Sequence, residues 1–172
     1  YSSIEITYDE GQKRPRLTSH HARDEDGTLR KYQTKEVVRL GKGIRAFRRG
    51  VGIRIAGVNQ KFEPVEIPKA SEHHIWDKDM LSGLALWLAM ASRSGEVSFK
   101  VIDVAQRSSV TARLVPEAPS TLGNAEGLPV TLNCWRAWAG GAEVASLCAD
   151  ASSELISVKA GRRSLLAEGW TW

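Results

Sequence analysis

The chain has 172 residues, 42% of them hydrophobic, with 24 basic against 20 acidic side chains and two cysteines. That length suits one well-buried domain or, at most, two small ones. The balance is that of a soluble β-rich protein, and two cysteines are too few for a disulfide framework.

The chain opens on a strand pattern. Ile4, Ile6 and Tyr8 alternate with Glu5 and Thr7, as on a half-buried strand, and no apolar leader precedes them, so a secretory signal is not expected within these residues. Asp9-Glu10-Gly11 turns the chain, and the polar KRPRLTSHHAR that follows, broken by Pro15, reads as an irregular or edge segment. Thr28 to Leu40 reads as a strand of mixed faces, interrupted by Gly41-Lys42-Gly43, after which Ile44 to Phe47 and Val51 to Ile55 form short strands. Pro64 and Pro68 mark a looser passage leading to His73-His74-Ile75-Trp76.

Charge is unevenly distributed over this first stretch. Residues 1 to 70 hold fifteen cations against nine anions, and from Arg30 to Arg54 nine cations face Glu36 alone. Those nine, Arg30, Lys31, Lys35, Arg39, Lys42, Arg45, Arg48, Arg49 and Arg54, are the candidate phosphate-binding residues. Arginine predominates, and its planar fork matches phosphate. The competing reading is a solvated edge that discourages strand pairing. The Arg39-Leu40-Gly41-Lys42-Gly43 step lacks the spacing of a nucleotide-binding loop, so a nonspecific polyanion surface is the expectation, with Tyr32 and Phe47 available to stack on bases or to pack in the core.

Asp77 to Gly95 is the most hydrophobic stretch. Between Met80 and Ala91 only Ser82 and Gly83 are not apolar. A helix without a polar stripe has to be covered on all sides, and Lys78, Asp79 and Arg93 stand too close for a bilayer span of about 20 apolar residues. The spacing predicts one buried helix over residues 77–92, with Asp77 as N-cap and Asp79 in its first turn.

Six further strands follow, with cleaner alternation: Val97 to Val101, Val110 to Leu114, Val130 to Trp138, Ala142 to Ala149, Glu154 to Ala160 and Ser164 to Trp172, with Pro116 to Pro129 read as a loop. Cys134 and Cys148 lie symmetrically about Gly141, so a hairpin turning there sets them opposite each other. They form a cross-strand disulfide in an oxidising setting and buried thiols in a reducing one; because nothing else demands oxidation, thiols are expected. Trp135 and Trp138 have opposite parity on one strand, so both of its faces need cover, from a second layer or a neighbouring subunit. Together with Trp170 and Trp172 they are candidate interface residues.

Short strands with one helix argue for an antiparallel sandwich, and the order of elements accommodates an eight-stranded jelly roll spanning residues 51–172, preceded by a basic arm over residues 1–50. The run HIWDKDMLSGLALWLAMASRSGEVSFKVIDV, with TLNCWRAW and SVKAG further on, resembles the capsid proteins of picorna-like plant viruses, the comovirus type in particular. The loop between Val115 and Val130 is shorter than in that family, and the residues ahead of Val51 have no counterpart there. The resemblance implies a jelly-roll coat protein that self-assembles, alone or with other capsid subunits, into a virion, its basic N-terminal region facing RNA.

Chemistry is sparse by comparison. His20, His21, His73 and His74 come as adjacent pairs whose side chains point to opposite faces, and no HExxH or CxxC accompanies them, so no metal site and no cofactor are expected. GxSxG is absent. The leading reading is a non-enzymatic capsid protein binding RNA without sequence specificity. The alternative is a secreted or periplasmic β-barrel carrier whose sheet curls around the apolar helix or a lipid; a histidine-based enzyme is the third.

Overall fold

The computed structural model describes residues 2–8, 17–24, 28–36, 43–58, 62–70, 72–79, 81–92 and 94–172. Among them are thirteen strands and one helix: β1 Ser2–Tyr8, β2 Leu17–Arg23, β3 Leu29–Glu36, β4 Gly43–Arg49, β5 Gly52–Val58, β6 Val65–Ile67, β7 His74–Trp76, the helix Leu81–Met90, β8 Val97–Asp103, β9 Ser108–Gly123, β10 Pro129–Ala139, β11 Ala142–Ala149, β12 Leu155–Ala160 and β13 Arg163–Leu166. The protein is mainly β.

The strands form two sheets. One runs β1-β2-β3-β4-β5-β6 and the other β13-β12-β11-β10-β9-β8-β7. Each strand lies beside its neighbour in sequence, as in a meander. A jelly roll is built from Greek keys, which bring non-consecutive strands side by side. The eight-stranded jelly roll is therefore not the arrangement found. The expected six strands follow the helix, but seven precede it. β2, read as irregular, pairs with both β1 and β3, and its backbone hydrogen bonds hold it there although its sequence lacks alternation.

Contacts divide the chain into two compact units, residues 1–80 with 100–109 and residues 81–99 with 110–172. The expected boundary after residue 50 is not where the division falls, because the expected basic arm supplies β1 to β4 of the first sheet.

In the first unit the sheet buries Leu29, Tyr32, Ala46, Ile53, Ile55 and Ile67, packed with Ala70 and Ile75 of the segment before the helix and with Ile102 and Val104. Leu29 and Tyr32 both turn inward despite their odd separation because the β2–β3 register shifts between Ala22 and Arg23, sending Arg30 and Lys31 outward together.

In the second unit the helix Leu81–Met90 winds with i→i+3 geometry and ends with the Ala91 amide donating to the Leu88 carbonyl at 3.0 Å. Leu81, Leu84 and Trp87 recur every third residue and are buried, while Ala89 and Met90 are exposed. The helix is thus buried over most of its length and open at its C-terminal end, not covered all round. Asp77 does not cap it: its Oδ1 accepts the Asp79 amide at 2.9 Å, closing a turn ahead of the helix. The loop expected over residues 116–129 is largely strand, since β9 continues to Gly123. A register shift opposite Leu132 and Cys134, where Pro119 lies, absorbs the extra residue, and Gly123 at the end of β9 is bridged by Thr171.

Candidate functional site

β10 and β11 are joined at Gly140 and Gly141, with φ of +59° and +86°. Successive positive φ values suit the tight turns that match strand twist, and glycine meets them without strain. The turn sets Ala139 opposite Ala142, a bulge between Ala137 and Trp138 then shifts the register by one residue, and Cys134 stands opposite Cys148, the two joined in a disulfide closing a loop of sequence separation 14. This differs from the thiols expected from sequence. Around it pack Leu122, Leu132 and Ile156, with Val130, Leu166 and Trp170 against them.

Alternation along β10 and β11 turns Trp135, Ala137 and Leu147 to the opposite face, all buried. The Trp135 indole donates to the Ser92 carbonyl at 2.8 Å, tying the strand to the segment just after the helix. Trp87, wholly buried, meets Phe99 edge-on at 5.3 Å between ring centres. This apolar face, tied through Trp135 to the segment that follows a helix with no charged residue of its own, is the candidate binding site of the second unit.

A polar corner is built into the first unit. The buried Tyr32 hydroxyl donates to Asp77 Oδ2 at 2.7 Å. Burial raises the Asp77 carboxyl above its ordinary range, opposed by the hydrogen bonds from Tyr32 and the Asp79 amide. Burial, then the Asp77 charge, pushes the Tyr32 phenol up. Arg23 donates through Nη2 to the His73 carbonyl at 3.3 Å and lies 3.4 Å from His74 Nδ1. Burial, the Arg23 guanidinium and His73 together hold His74 down to about 4. Burial and Lys100 also lower His73, whose Nδ1 lies 3.3 Å from Ser109 Oγ. Among the described residues no carboxylate bonds the His73 ring, so this is a serine–histidine contact and not a triad.

The cationic run is spread over several strands. Arg48 pairs with Asp24 at 2.6 Å, while Arg49 and Arg54 share Glu66 at 2.6 and 3.6 Å. These acids lie outside the run in sequence, which is why it reads as unopposed there. Arg45 lies over the Phe47 ring at 5.4 Å, and Arg30 and Lys31 are exposed. Arg39, Lys42 and the Lys35 side chain lie outside the described residues, as do the His20 and His21 side chains.

No family model matches the chain, and no curated protein sequence matches it. It is similar to one solved structure, the β-barrel-like protein of the domain of unknown function DUF1849 from Brucella abortus. The TM-score is 0.48 and the identity 11%, over 91% of this chain and 72% of that one. The fold does not uphold the capsid resemblance. No capsid family answers to the sequence, and the quoted run from His74 to Val104 folds not as part of a Greek key but as β7, the helix and β8, with β7 and β8 parallel neighbours. Capsid subunits and RNA are left without support as partners.

The tryptophans separate by role. Trp135 is spent inside the chain, and Trp138 carries the Arg113 guanidinium over its ring at 5.1 Å. Trp170 packs beside the disulfide, and Trp172, 57% exposed, takes Lys159 Nζ at 4.1 Å from its ring. Among the described residues no three His, Cys, Asp or Glu side chains come together as a metal site, and no described helix is long and apolar enough to cross a membrane.

Sequence reasoning missed the Tyr32–Asp77 bond and the Arg23–His74 contact. Partners 45 and 51 residues apart leave no local pattern. It also missed Glu117, which accepts from Arg136 Nε at 3.0 Å and from Ser146 Oγ at 3.1 Å within what reads as a loop.

Proposed function

We propose that the chain is an exported, non-enzymatic binding protein for an apolar ligand, acting in an oxidising compartment. The observation that carries this reading is the Cys134–Cys148 bond. Disulfides persist where thiols are not held reduced, in secreted and periplasmic proteins above all. The apolar sheet face of the second unit supplies the binding surface, occupied at rest by the helix Leu81–Met90. Ten residues of i→i+3 winding is long for a geometry that seldom exceeds about 3–4 residues, so the helix is the element that yields when a ligand competes for the face.

The test has two arms. Mass spectrometry of native material, alkylated before and after reduction, is expected to find both cysteines blocked until reductant is added; two free thiols would overturn the exported reading. Titration with a fluorescent fatty acid is expected to saturate and to change the emission of the buried Trp87, and failure to saturate would overturn the apolar-ligand reading.

A further inference from the structure

The outward face of the first sheet collects cations about one aromatic ring. In the register Lys31 stands opposite Phe47, Phe47 opposite Arg54, and Arg54 opposite Glu66. Tyr32, Ala46 and Ile55 form the adjacent row and face the core, so this row faces out. Arg45 and Arg49 flank Phe47 on β4 and share its face by alternation. Glu66 serves both Arg49 and Arg54, so that pair of cations is only half compensated. Lys31 and Arg45 are exposed.

The face ends at the β4–β5 turn. Gly50, with φ +63°, takes the first turn position, and Val51 is left 69% exposed. Beside it opens a hollow of about 330 Å³ with Val51, Ile53, Ile67 and Pro68 in its lining and Arg49, Lys69 and the anion Glu66 as its charged members. An apolar tip beside cations that outnumber the one anion between them, Glu66, is the pattern of an interfacial anchor, with aliphatic carbons entering the headgroup boundary and cations meeting lipid phosphates.

We infer that this outward face of the first sheet, with the β4–β5 turn at its edge, docks on the anionic surface of a phospholipid membrane, with Lys31, Arg45, Arg49 and Lys69 meeting phosphate and Val51 entering the interface. Nucleic acid fits less well. An exposed valine gains nothing against a hydrated phosphodiester backbone, and the Phe47 ring that would stack on a base already carries Arg45. The contacts stand on the surface alone, while the purpose, exchange of an apolar ligand with a bilayer, rests on the proposed function.

Flotation of the disulfide-intact chain with vesicles tests it. Binding is expected to vesicles containing phosphatidylglycerol and not to phosphatidylcholine alone, and to weaken as salt rises. Lys31→Gln and Arg45→Gln should each lower the partition coefficient by about fivefold, the effect of one cation near an anionic surface. Val51→Ser should lower it further, by an amount that persists at high salt. Arg162→Gln, which removes an exposed cation of the second unit, should leave binding unchanged. Equal uptake by neutral vesicles, an equal loss in Arg162→Gln, or tighter binding to a single-stranded oligonucleotide at the same salt would overturn the proposal. Fatty-acid titration of the same variants keeps this outcome separate from the carrier reading, because the substituted residues lie outside the second unit.

Discussion

The two units solve the same problem, closing one face of a sheet, by different chemistry. The first closes over polar groups: Tyr32 bonded to Asp77, and Arg23 lying against His74, beside a cluster of aliphatics. The second buries Trp87 of a helix without charge and Trp135 of β10, and carries a cross-link on the face of β10 opposite Trp135. Buried polar groups make stability depend on protonation. Apolar burial and a disulfide make it depend on packing volume and redox state. The difference predicts that acid acts on the first unit and reductant on the second.

The sharpest way to break that comparison is to open the second core. Trp87→Ala removes the largest fully buried side chain and is expected to cost about 3–5 kcal/mol. Hydrogen exchange should show the loss in β10 to β12 before β3 to β5; uniform loss across both units would erase the distinction. The double substitution Cys134→Ala, Cys148→Ala comes next. Freeing a loop of sequence separation 14 is expected to cost about 3 kcal/mol on the chain-entropy account, read as a shift in the denaturant midpoint. Reduction of the native chain should reproduce that shift, and neither change should alter exchange in the first unit.

How much of this was legible in sequence follows from the range of each signal. The six strands after the helix declare themselves through alternation, and the symmetric placing of Cys134 and Cys148 about Gly141 anticipates a pairing that the hairpin reaches through a bulge between its turn and the disulfide. β2 was not legible: LTSHHAR has no apolar face, and its place is set by backbone bonds to strands on either side. Pro116 and Pro119 look like a loop because proline seldom sits inside a strand, and the register shift that takes in Pro119 leaves no mark in sequence. Fold topology was the largest failure. Counting strands cannot tell a meander from a Greek key, since both thread the same elements in the same order. Of the candidate site, the apolar run was plain from Met80 to Ala91, but that the last two helical residues, Ala89 and Met90, stay exposed depends on what packs at that end of the helix, which has no local signal in sequence.

Acid is the probe of the first unit. His74 is held down to about 4 from an ordinary 6.5, by burial first and then by Arg23 and His73. Its folded value is depressed, so the neutral ring contributes stability that is complete above pH 6.5 and is lost as pH falls towards 4. His74 is partly open to solvent, which softens the slope. Unfolding midpoints should fall from pH 7 to pH 4.5, and His74→Gln, which cannot charge, should remove most of that fall. A pH dependence unchanged in the variant would mean that the acid response arises elsewhere.

The smallest expected effect tests whether the Tyr32–Asp77 bond is a charged one. Asp77 is raised overall, so burial favours its protonated form: that contribution is present below the unfolded value of 3.8 and is lost as pH rises through the folded value. The Tyr32 hydroxyl works against this trend, since its hydrogen bond holds the carboxyl down. The bond's own contribution is therefore present while Asp77 is ionised and is lost as pH falls through its folded value. Tyr32→Phe keeps the buried ring and leaves Asp77 the amide of Asp79. It should cost about 1.5 kcal/mol at neutral pH, the low end for a bond to a charged group, and less in acid. A cost that does not change with pH would mean that the partners meet as neutral groups, and that charge plays no part in closing the first unit at Tyr32.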